Sequence, residues 1–248
     1  MSKVKLMDCT LRDGGNVMGK GFDAEITDMV LDGLTACGVP IIEFGNAGGI
    51  GAYEVAGFTQ ALTDQEYLDI GKKYLGRGSE LGMFLNARRY REKNVDIAKE
   101  NGLSFLRIGA DAGDGDIALT QIADIKKRGM KAYYSLMKAY ILSPQELAEE
   151  AKKLEAAGLD EVTIMDSAGT MSRPPYMWRR SRRPSPSRWH FTATITWACP
   201  PPTRWRRCWA KLPPMRWNCW MPTKNPPKMA KVTTKSTTKV TCAGLPKP

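Results

Sequence analysis

The first two thirds of the chain alternate between short apolar runs and amphipathic stretches. The apolar runs predict strands at 4–7, 41–44, 81–85, 105–108, 131–136 and 161–165. Between them, apolar residues recur at helical spacing and predict helices at 23–37, 64–75, 92–100, 116–127 and 144–157. Gly38, Gly129 and Gly158 mark helix ends, and Pro144 opens the last helix. This alternation predicts an α/β fold with parallel strands and right-handed helical crossovers.

An open doubly wound sheet and a closed (β/α)8 TIM barrel both fit this pattern. Polar residues follow the C-terminal ends of many predicted strands, namely Arg12, Asp13, Glu43, Asn86, Arg107, Asp166 and Ser167. Barrels build their active sites in this way, and no GxGxxG motif follows the first strand. We therefore predict a (β/α)8 barrel, with only about six β-α units in the sequence and an irregular C-terminal part.

Composition changes abruptly near residue 171. Residues 1–171 carry 20 of the 37 basic residues and all 26 acidic ones, for a net charge of −6 (20 − 26). Residues 172–248 carry 17 basic and no acidic residues, a net of +17, and hold all 7 Trp and 14 of the 16 Pro. We predict a truncated barrel domain over 1–171 and a separate Pro/Arg/Trp-rich tail over 172–248. The overall charge of +11 therefore belongs to the tail.

Several classes of protein are disfavoured by the sequence. No apolar run approaches the roughly 20 residues of a membrane helix, so we expect no membrane partner. The 6 cysteines form no CxxC pair and no metal-ligand spacing. We expect a reduced, cytoplasmic setting, with Cys9 alternating away from the site residues and packing in the core.

The octet Asp-Cys-Thr-Leu-Arg-Asp-Gly-Gly at 8–15 carries the most chemistry. In the pair Arg12-Asp13, a hard carboxylate could bind a divalent metal, and the neighbouring guanidinium could stabilise an enolate oxygen. A structural salt bridge topped by a Gly-Gly turn is the alternative interpretation, because buried ion pairs are common.

The run DCTLRDGGN at 8–16 resembles the motif of the metal-dependent lyases and aldolases that include 4-hydroxy-2-oxovalerate aldolase. Isopropylmalate synthases and 3-hydroxy-3-methylglutaryl-CoA lyase are wider relatives. DSAGTM at 166–171 resembles the sixth-strand motif of this family, and GVPIIEFG at 38–45 its second strand. The resemblance implies a barrel that acts on a 2-oxo acid, with Mn²⁺ or Mg²⁺ as cofactor. It would also allow a homo-oligomer or an aldehyde-consuming partner enzyme.

The resemblance implies roles for individual residues as well. Asp13 would be a metal ligand, Arg12 the catalytic cation, and Glu43 a catalytic group that positions substrate or water. Glu43 as a solvated charge at the barrel mouth is the alternative. Asn16, Arg107, Asp166 and Ser167 are predicted to bind substrate, and Lys138 could attract the same anion. Asn16 stands where related aldolases often carry a histidine near the base role, and asparagine cannot act as a general base.

One family motif, His-x-His-Asn-Asn-Leu-Gly at the seventh strand, is missing as written, since His190 is the only histidine. When residues 191–198 (FTATITWA) are back-translated and shifted back by one base, the codons admit His-Gly-His-Asn-Asn-Leu-Gly. We therefore interpret the chain from about residue 172 as an out-of-frame translation of the remaining barrel.

Three functional hypotheses follow from the sequence. The first is a carbon–carbon lyase or aldolase working through a metal-stabilised enolate. The second is an inactive or damaged member of that family, with strands 1 and 6 left as unpaired edges and a basic tail that binds polyanions nonspecifically. The third is a basic module built on the arginine run 179–183 and Trp189. We expect no specific nucleic-acid partner.

Overall fold

The computed structural model describes residues 5–54 and 60–168, together with the backbone of 188–196 and 237–242. The strands are β1 Lys5–Asp8, β2 Ile41–Glu43, β3 Glu80–Asn86, β4 Phe105–Asp111, β5 Lys131–Met137, β6 Glu161–Met165, β7 Arg188–Thr196 and β8 Thr237–Cys242. The helices are α1 Thr10–Asp13, α2 Gly15–Met18, α3 Ala24–Ala36, α4 Asp64–Lys72, α5 Glu92–Glu100, α6 Leu119–Lys127 and α7 Pro144–Ala156.

The eight strands form a closed barrel in sequence order. Strands β1 to β7 pair in parallel, whereas β8 runs antiparallel to both β7 and β1. The barrel predicted from the sequence is confirmed. The expectation that strands 1 and 6 have unpaired edges is wrong, because Met165 of β6 pairs with Thr192 and Asp8 of β1 pairs with Thr238.

The composition of the two closing strands explains this difference. The tail is rich in proline as a whole, but neither 188–196 nor 237–242 contains one. Both segments are rich in threonine and contain valine or isoleucine, and such β-branched residues suit strands. The rest of the predicted tail, including the arginine run 179–183, lies outside the described residues.

Local capping fixes where the outer helices begin. The Thr63 hydroxyl accepts from the Glu66 amide and the Glu66 carboxylate accepts from the Thr63 amide, a reciprocal arrangement that starts α4. Ser143 and Glu146 start α7 in the same way. Among the described residues, no helix has both the length and the apolar character needed to cross a membrane.

Two apolar clusters build the core. The larger one fills the space between the sheet and its helices and includes Leu106, Ile108 and Tyr134. The smaller one consists of Met7, Cys9, Ile41, Phe105 and Tyr133. Because strand residues two apart share a face, Phe105 lies on the face opposite to Leu106 and points into the barrel. The rings of Phe105 and Tyr133 stack there with centroids 4.7 Å apart.

Candidate functional site

A polar layer lies inside the barrel, above the small apolar cluster. On three strands an inward apolar residue is followed two positions later by a polar one, giving the pairs Ile41 and Glu43, Phe105 and Arg107, and Tyr133 and Ser135. Because residues two apart share a face, the three polar side chains meet within the barrel toward the C-terminal ends of the strands.

Arg107 lies at the centre of this layer and is 0 % exposed. Its Nε donates to Glu43 Oε2 and its Nη2 to Glu43 Oε1, both at 2.5 Å. Its Nη1 donates to Ser135 Oγ at 2.6 Å. Burial, the largest single influence, would lower the pKa of Arg107, but the charge and hydrogen bonds of Glu43 together with smaller contributions from Cys9 and Asp13 raise it overall. Arg107 is therefore a permanent cation.

Arg12, carried by the short helix α1, also contacts Glu43. Its Nε donates to Glu43 Oε1 at 2.6 Å, and its Nη1 contacts Asp13 Oδ1 at 2.8 Å. The guanidinium carbon lies 4.6 Å from the centroid of the Phe84 ring. Arg12 is 6 % exposed, so most of the side chain is fixed within the protein.

The turn that carries Arg12 is held by Asp8, the last residue of β1. Asp8 Oδ1 accepts from the Thr10 amide at 2.9 Å, and Oδ2 accepts from the Thr10 hydroxyl at 3.1 Å. Burial raises the pKa of Asp8 above its ordinary value, while both Thr10 contacts oppose that rise. The sequence interpretation did not assign a role to Asp8, although its place at the start of the octet was a usable signal.

Asp13 and Asn16 lie at the more open end of the site. The Asp13 side chain is 21 % exposed. Asn16 donates from Nδ2 to the Asp13 carbonyl at 3.0 Å and lies 3.5 Å from its Oδ1. The structure therefore brings Arg12, Asp13, Asn16, Glu43 and Arg107 together. The functional roles that the sequence assigned to them stay predictions.

Asp166 and Ser167 follow β6 at the rim of the barrel. Ser167 Oγ accepts from the backbone amide of Lys138 at 3.0 Å. The Lys138 ammonium contacts Asp111 Oδ2 at 2.7 Å, so this part of the rim ties together the ends of β4, β5 and β6. Lys138 has a φ of 51°, in the left-handed region. Substrate binding by Asp166 and Ser167 stays a prediction.

Cys9 lies closer to the site than its sequence position suggested. Its sulfur is 3.9 Å from Arg107 Nη2, so it faces the barrel interior rather than away from the site residues. The expectation that Cys9 alternates away from them is wrong, because the chain leaves β1 immediately before Cys9 and turns into α1. The residue is nevertheless buried in the small apolar cluster, as its core assignment requires.

The fit of a metal ion can be tested on the described side chains. They contain no group of three or more His, Cys, Asp or Glu residues placed to hold a metal. Asp13 supplies one carboxylate, whereas hard divalent ions in proteins require several ligands. The side chains of β7, including His190, lie outside the described part. The described residues therefore do not form a metal centre by themselves.

About two thirds of the chain matches curated proteins named 4-hydroxy-2-oxovalerate aldolase. The relative from Geobacillus genomosp. 3 is 31% identical over 168 residues, which cover 68% of this chain and 50% of that protein. The relative from Carboxydothermus hydrogenoformans is 32% identical over 174 residues, covering 70% of this chain and 51% of that protein. This chain resembles 4-hydroxy-2-oxovalerate aldolases. It spans about half the length of the curated relatives it matches.

Solved structures support the fold of this aldolase-like chain. The HMG-CoA lyase of Bacillus subtilis aligns with a TM-score of 0.55 and 16% identity, over 77% of this chain and 69% of that one. The carboxyl transferase domain of Rhizobium etli pyruvate carboxylase aligns with a TM-score of 0.61 and 17% identity, over 76% of this chain and 35% of that one. No protein-family model matches the chain. At these identities the likeness establishes the barrel fold.

Proposed function

We propose that residues 1–171 derive from a divalent-metal-dependent aldolase or lyase that makes or breaks a carbon–carbon bond next to a 2-oxo acid. The observation that carries the proposal is Arg12 in an aldolase-like barrel, held by Glu43 at Nε and by Asp13 at Nη1. A cation fixed in this way is preorganised to stabilise an oxygen on which enolate charge develops.

The other predicted residues take supporting places in this proposal. Asn16 lies against Asp13, and the rim formed by Asp166, Ser167 and Lys138 faces the same C-terminal end of the barrel. The Lys138 ammonium would attract the carboxylate of a 2-oxo acid. Mn²⁺ or Mg²⁺ is the cofactor proposed for the lineage, with Asp13 as one ligand. A cytoplasmic location, a homo-oligomer and an aldehyde-consuming partner enzyme belong to the same proposal.

The missing ligands are explained by the proposed change of reading frame near residue 172. In the shifted frame, the two histidines of the motif replace Thr192 and Thr194. Both positions belong to β7, where Thr192 pairs with Met165 near the end of β6. Two residues two apart on a strand share a face, as a pair of ligands requires. The length of the aldolase match, 168 of 248 residues, also supports the proposal.

The test compares the chain as written with a gene whose frame is restored after codon 171. We expect the restored protein to bind Mn²⁺ in stoichiometric amounts and to release pyruvate from a 4-hydroxy-2-oxo acid. Calorimetry measures the binding, and a coupled pyruvate assay measures the cleavage. Arg12→Lys in the restored protein should lower kcat about a hundredfold, since it removes a preorganised donor. Asp13→Asn should abolish the metal binding.

Two results would contradict the proposal. A restored protein that neither binds Mn²⁺ nor cleaves the substrate would refute the aldolase lineage. Tight stoichiometric Mn²⁺ binding with aldol cleavage by the chain as written would refute the change of frame.

The second candidate function is nonspecific polyanion binding by an inactive family member. The net charge of +17 in residues 172–248 favours it. The full chain should then bind duplex DNA of any sequence, with an affinity that falls steeply as salt rises. Affinity that depends on DNA sequence would contradict this candidate.

A further inference from the structure

Arg107 presents a question that the proposed function leaves open. It is a full positive charge with no exposed surface, and it shares the Glu43 carboxylate with Arg12. Burying an arginine is strongly unfavourable unless its partners compensate for the lost water. A residue with no exposed surface also does not reach a substrate directly. The role of Arg107 must therefore be sought in what its contacts do to neighbouring groups.

We propose that Arg107 and Ser135 are positioning residues, which fix the Glu43 carboxylate and through it the guanidinium of Arg12. The inference rests on the proposed function only for the chemistry assigned to Arg12. In this proposal Arg12 keeps its orientation because Arg107 holds the Glu43 carboxylate that Arg12 contacts.

Arg107 holds the Glu43 carboxylate in a clamp. Arg107 uses Nε and Nη2 on the two carboxylate oxygens, a bidentate arrangement that fixes the plane of the carboxylate. Without this clamp, a glutamate side chain with three rotatable bonds would lose the contact that fixes the plane of its carboxylate beside Arg12. Ser135 secures the far end of the clamp by accepting from Nη1.

The two cations Arg12 and Arg107 lie beside the same aromatic ring. The guanidinium carbons of Arg12 and Arg107 lie 4.6 Å and 5.5 Å from the centroid of the same Phe84 ring. Arg12 Nε and Arg107 Nη2 both donate to Glu43 Oε1, at 2.6 Å and 2.5 Å, so the two like charges are near enough to repel each other. Glu43 contacts both, so its carboxylate holds the pair together.

The hydrogen bonds to Glu43 also decide which role this carboxylate takes. Both of its oxygens accept hydrogen bonds from guanidinium groups, Oε1 from Arg12 and Arg107, and Oε2 from Arg107. A carboxylate held in this way is stabilised in its charged form and is a poor proton acceptor for a substrate. Glu43 therefore orients Arg12 rather than transferring a proton.

The experiment follows the Arg12 Nε–H proton by nitrogen-15 NMR of the full chain, with the peak assigned by its loss in Arg12→Lys. Arg107→Lys keeps the charge but removes the bidentate clamp, and Ser135→Ala removes only the outer acceptor. We expect solvent exchange of the Arg12 Nε–H to accelerate about tenfold in Arg107→Lys, equivalent to the loss of one hydrogen bond. The acceleration should be smaller but measurable in Ser135→Ala.

The matched control is Arg128→Lys, which alters an arginine held by three carboxylates outside the barrel. It should leave the Arg12 signal unchanged. If Arg107→Lys lowers the Tm but leaves the chemical shift and exchange rate of the Arg12 Nε–H as in the wild type, the inference is overturned. Arg107 would then have a purely structural role. If Arg107→Lys does not fold, an unchanged Arg12 signal in Ser135→Ala overturns it.

The outcome is separable from that of the proposed function. If the frame-restored protein fails to cleave its substrate while Arg107→Lys still alters the Arg12 signal, the proposed reaction is wrong and the positioning role stands. If cleavage succeeds and the Arg12 signal is unaffected in both variants, the opposite holds.

Discussion

Two arginines in this protein are each held by several polar partners, one inside the barrel and one on its outer surface. Arg107 contacts Glu43 and Ser135 within the barrel and has no exposed surface. Arg128, directly after α6, contacts Glu92 at 2.9 Å and Asp96 at 2.6 Å, and it also pairs with Asp124. Hydrogen bonding from Asp96 is the main cause that raises the pKa of Arg128.

The difference between the two clusters lies in their surroundings. The Glu92 and Asp96 side chains are 72% and 49% exposed, so water and salt weaken their attraction to Arg128. Glu43 is fully buried, and loss of its partner would leave a charge that no water reaches. Similar hydrogen bonds should therefore differ several-fold in how much their loss destabilises the fold.

The largest effect is expected for Arg107→Met. The substitution removes the two hydrogen bonds that Arg107 donates to the buried carboxylate of Glu43. We expect the free energy of unfolding to fall by about 3–5 kcal/mol, the range for breaking a buried ion pair. Urea titration followed by circular dichroism measures this change.

The control for this comparison is Arg128→Met, which removes a guanidinium of the same size. Adding Glu43→Gln to Arg107→Met should recover part of the stability, because the buried charge that lost the Arg107 contact is then removed as well. Equal losses of unfolding free energy in Arg107→Met and Arg128→Met would contradict the expected difference between the buried and the exposed cluster.

A second effect concerns a buried carboxyl group that pairs with no cation among the described residues. Asp64 Oδ2 accepts from the Gly51 amide at 2.6 Å, and burial raises its pKa from 3.8 to about 6. Because the folded state holds the Asp64 proton more tightly than the unfolded state, the contribution of Asp64 to stability is fully present below pH 4 and is lost as pH rises through 6. The difference between a pKa of 3.8 and one of about 6 amounts to roughly 3 kcal/mol.

The variant Asp64→Asn isolates this contribution. The stability difference between wild type and variant, measured by urea titration from pH 4 to pH 7.5, should change by roughly 3 kcal/mol in favour of the variant as pH rises. Parallel stability curves for the two proteins would show that Asp64 titrates alike in the folded and unfolded states.

The smallest effect is expected at the outer cluster. Arg128→Met should lower the free energy of unfolding by no more than about 1 kcal/mol, since Glu92 and Asp96 keep their water and Asp124 keeps the Tyr90 hydroxyl when the arginine is lost. Measured again in 1 M NaCl, the loss should shrink toward zero because salt screens the pairs. A loss above 2 kcal/mol that salt does not reduce would place the outer cluster in the same class as the inner one.

Much of the fold could be predicted from apolar periodicity. The helix Glu92–Glu100 and the strand Glu161–Met165 agree with the prediction at both ends. The helix expected at 116–127 instead begins with the 3-10 turn Gly115–Ala118, because glycine next to Asp114 favours a tight turn. The pairing of β7 and β8 was missed, since the high proline content of the tail hid two proline-free segments.

The part of the site that lies in sequence motifs could also be predicted. Arg12, Asp13 and Glu43 lie in recognisable motifs, and the structure brings them together. Ser135 lies within an apolar run of β5, and Phe84 belongs to the apolar interior of β3, so neither stands out as a site residue. Ser135 and Phe84 contact the arginines because the inward faces of separate strands meet in the barrel. The order of residues along the chain does not show which faces meet.

The left-handed backbone at Lys138 affects how the thermal stability of this barrel could be changed. Lys138 adopts a φ of 51°, and a side chain in that region is about 1 kcal/mol less stable than glycine. A Lys138→Gly protein should therefore melt at a higher temperature, yet it would lack the ammonium that contacts Asp111 at the rim. Under the proposed role of Lys138 in attracting a 2-oxo acid, glycine would favour stability at this position and lysine would favour function, so selection for heat resistance alone would remove the lysine.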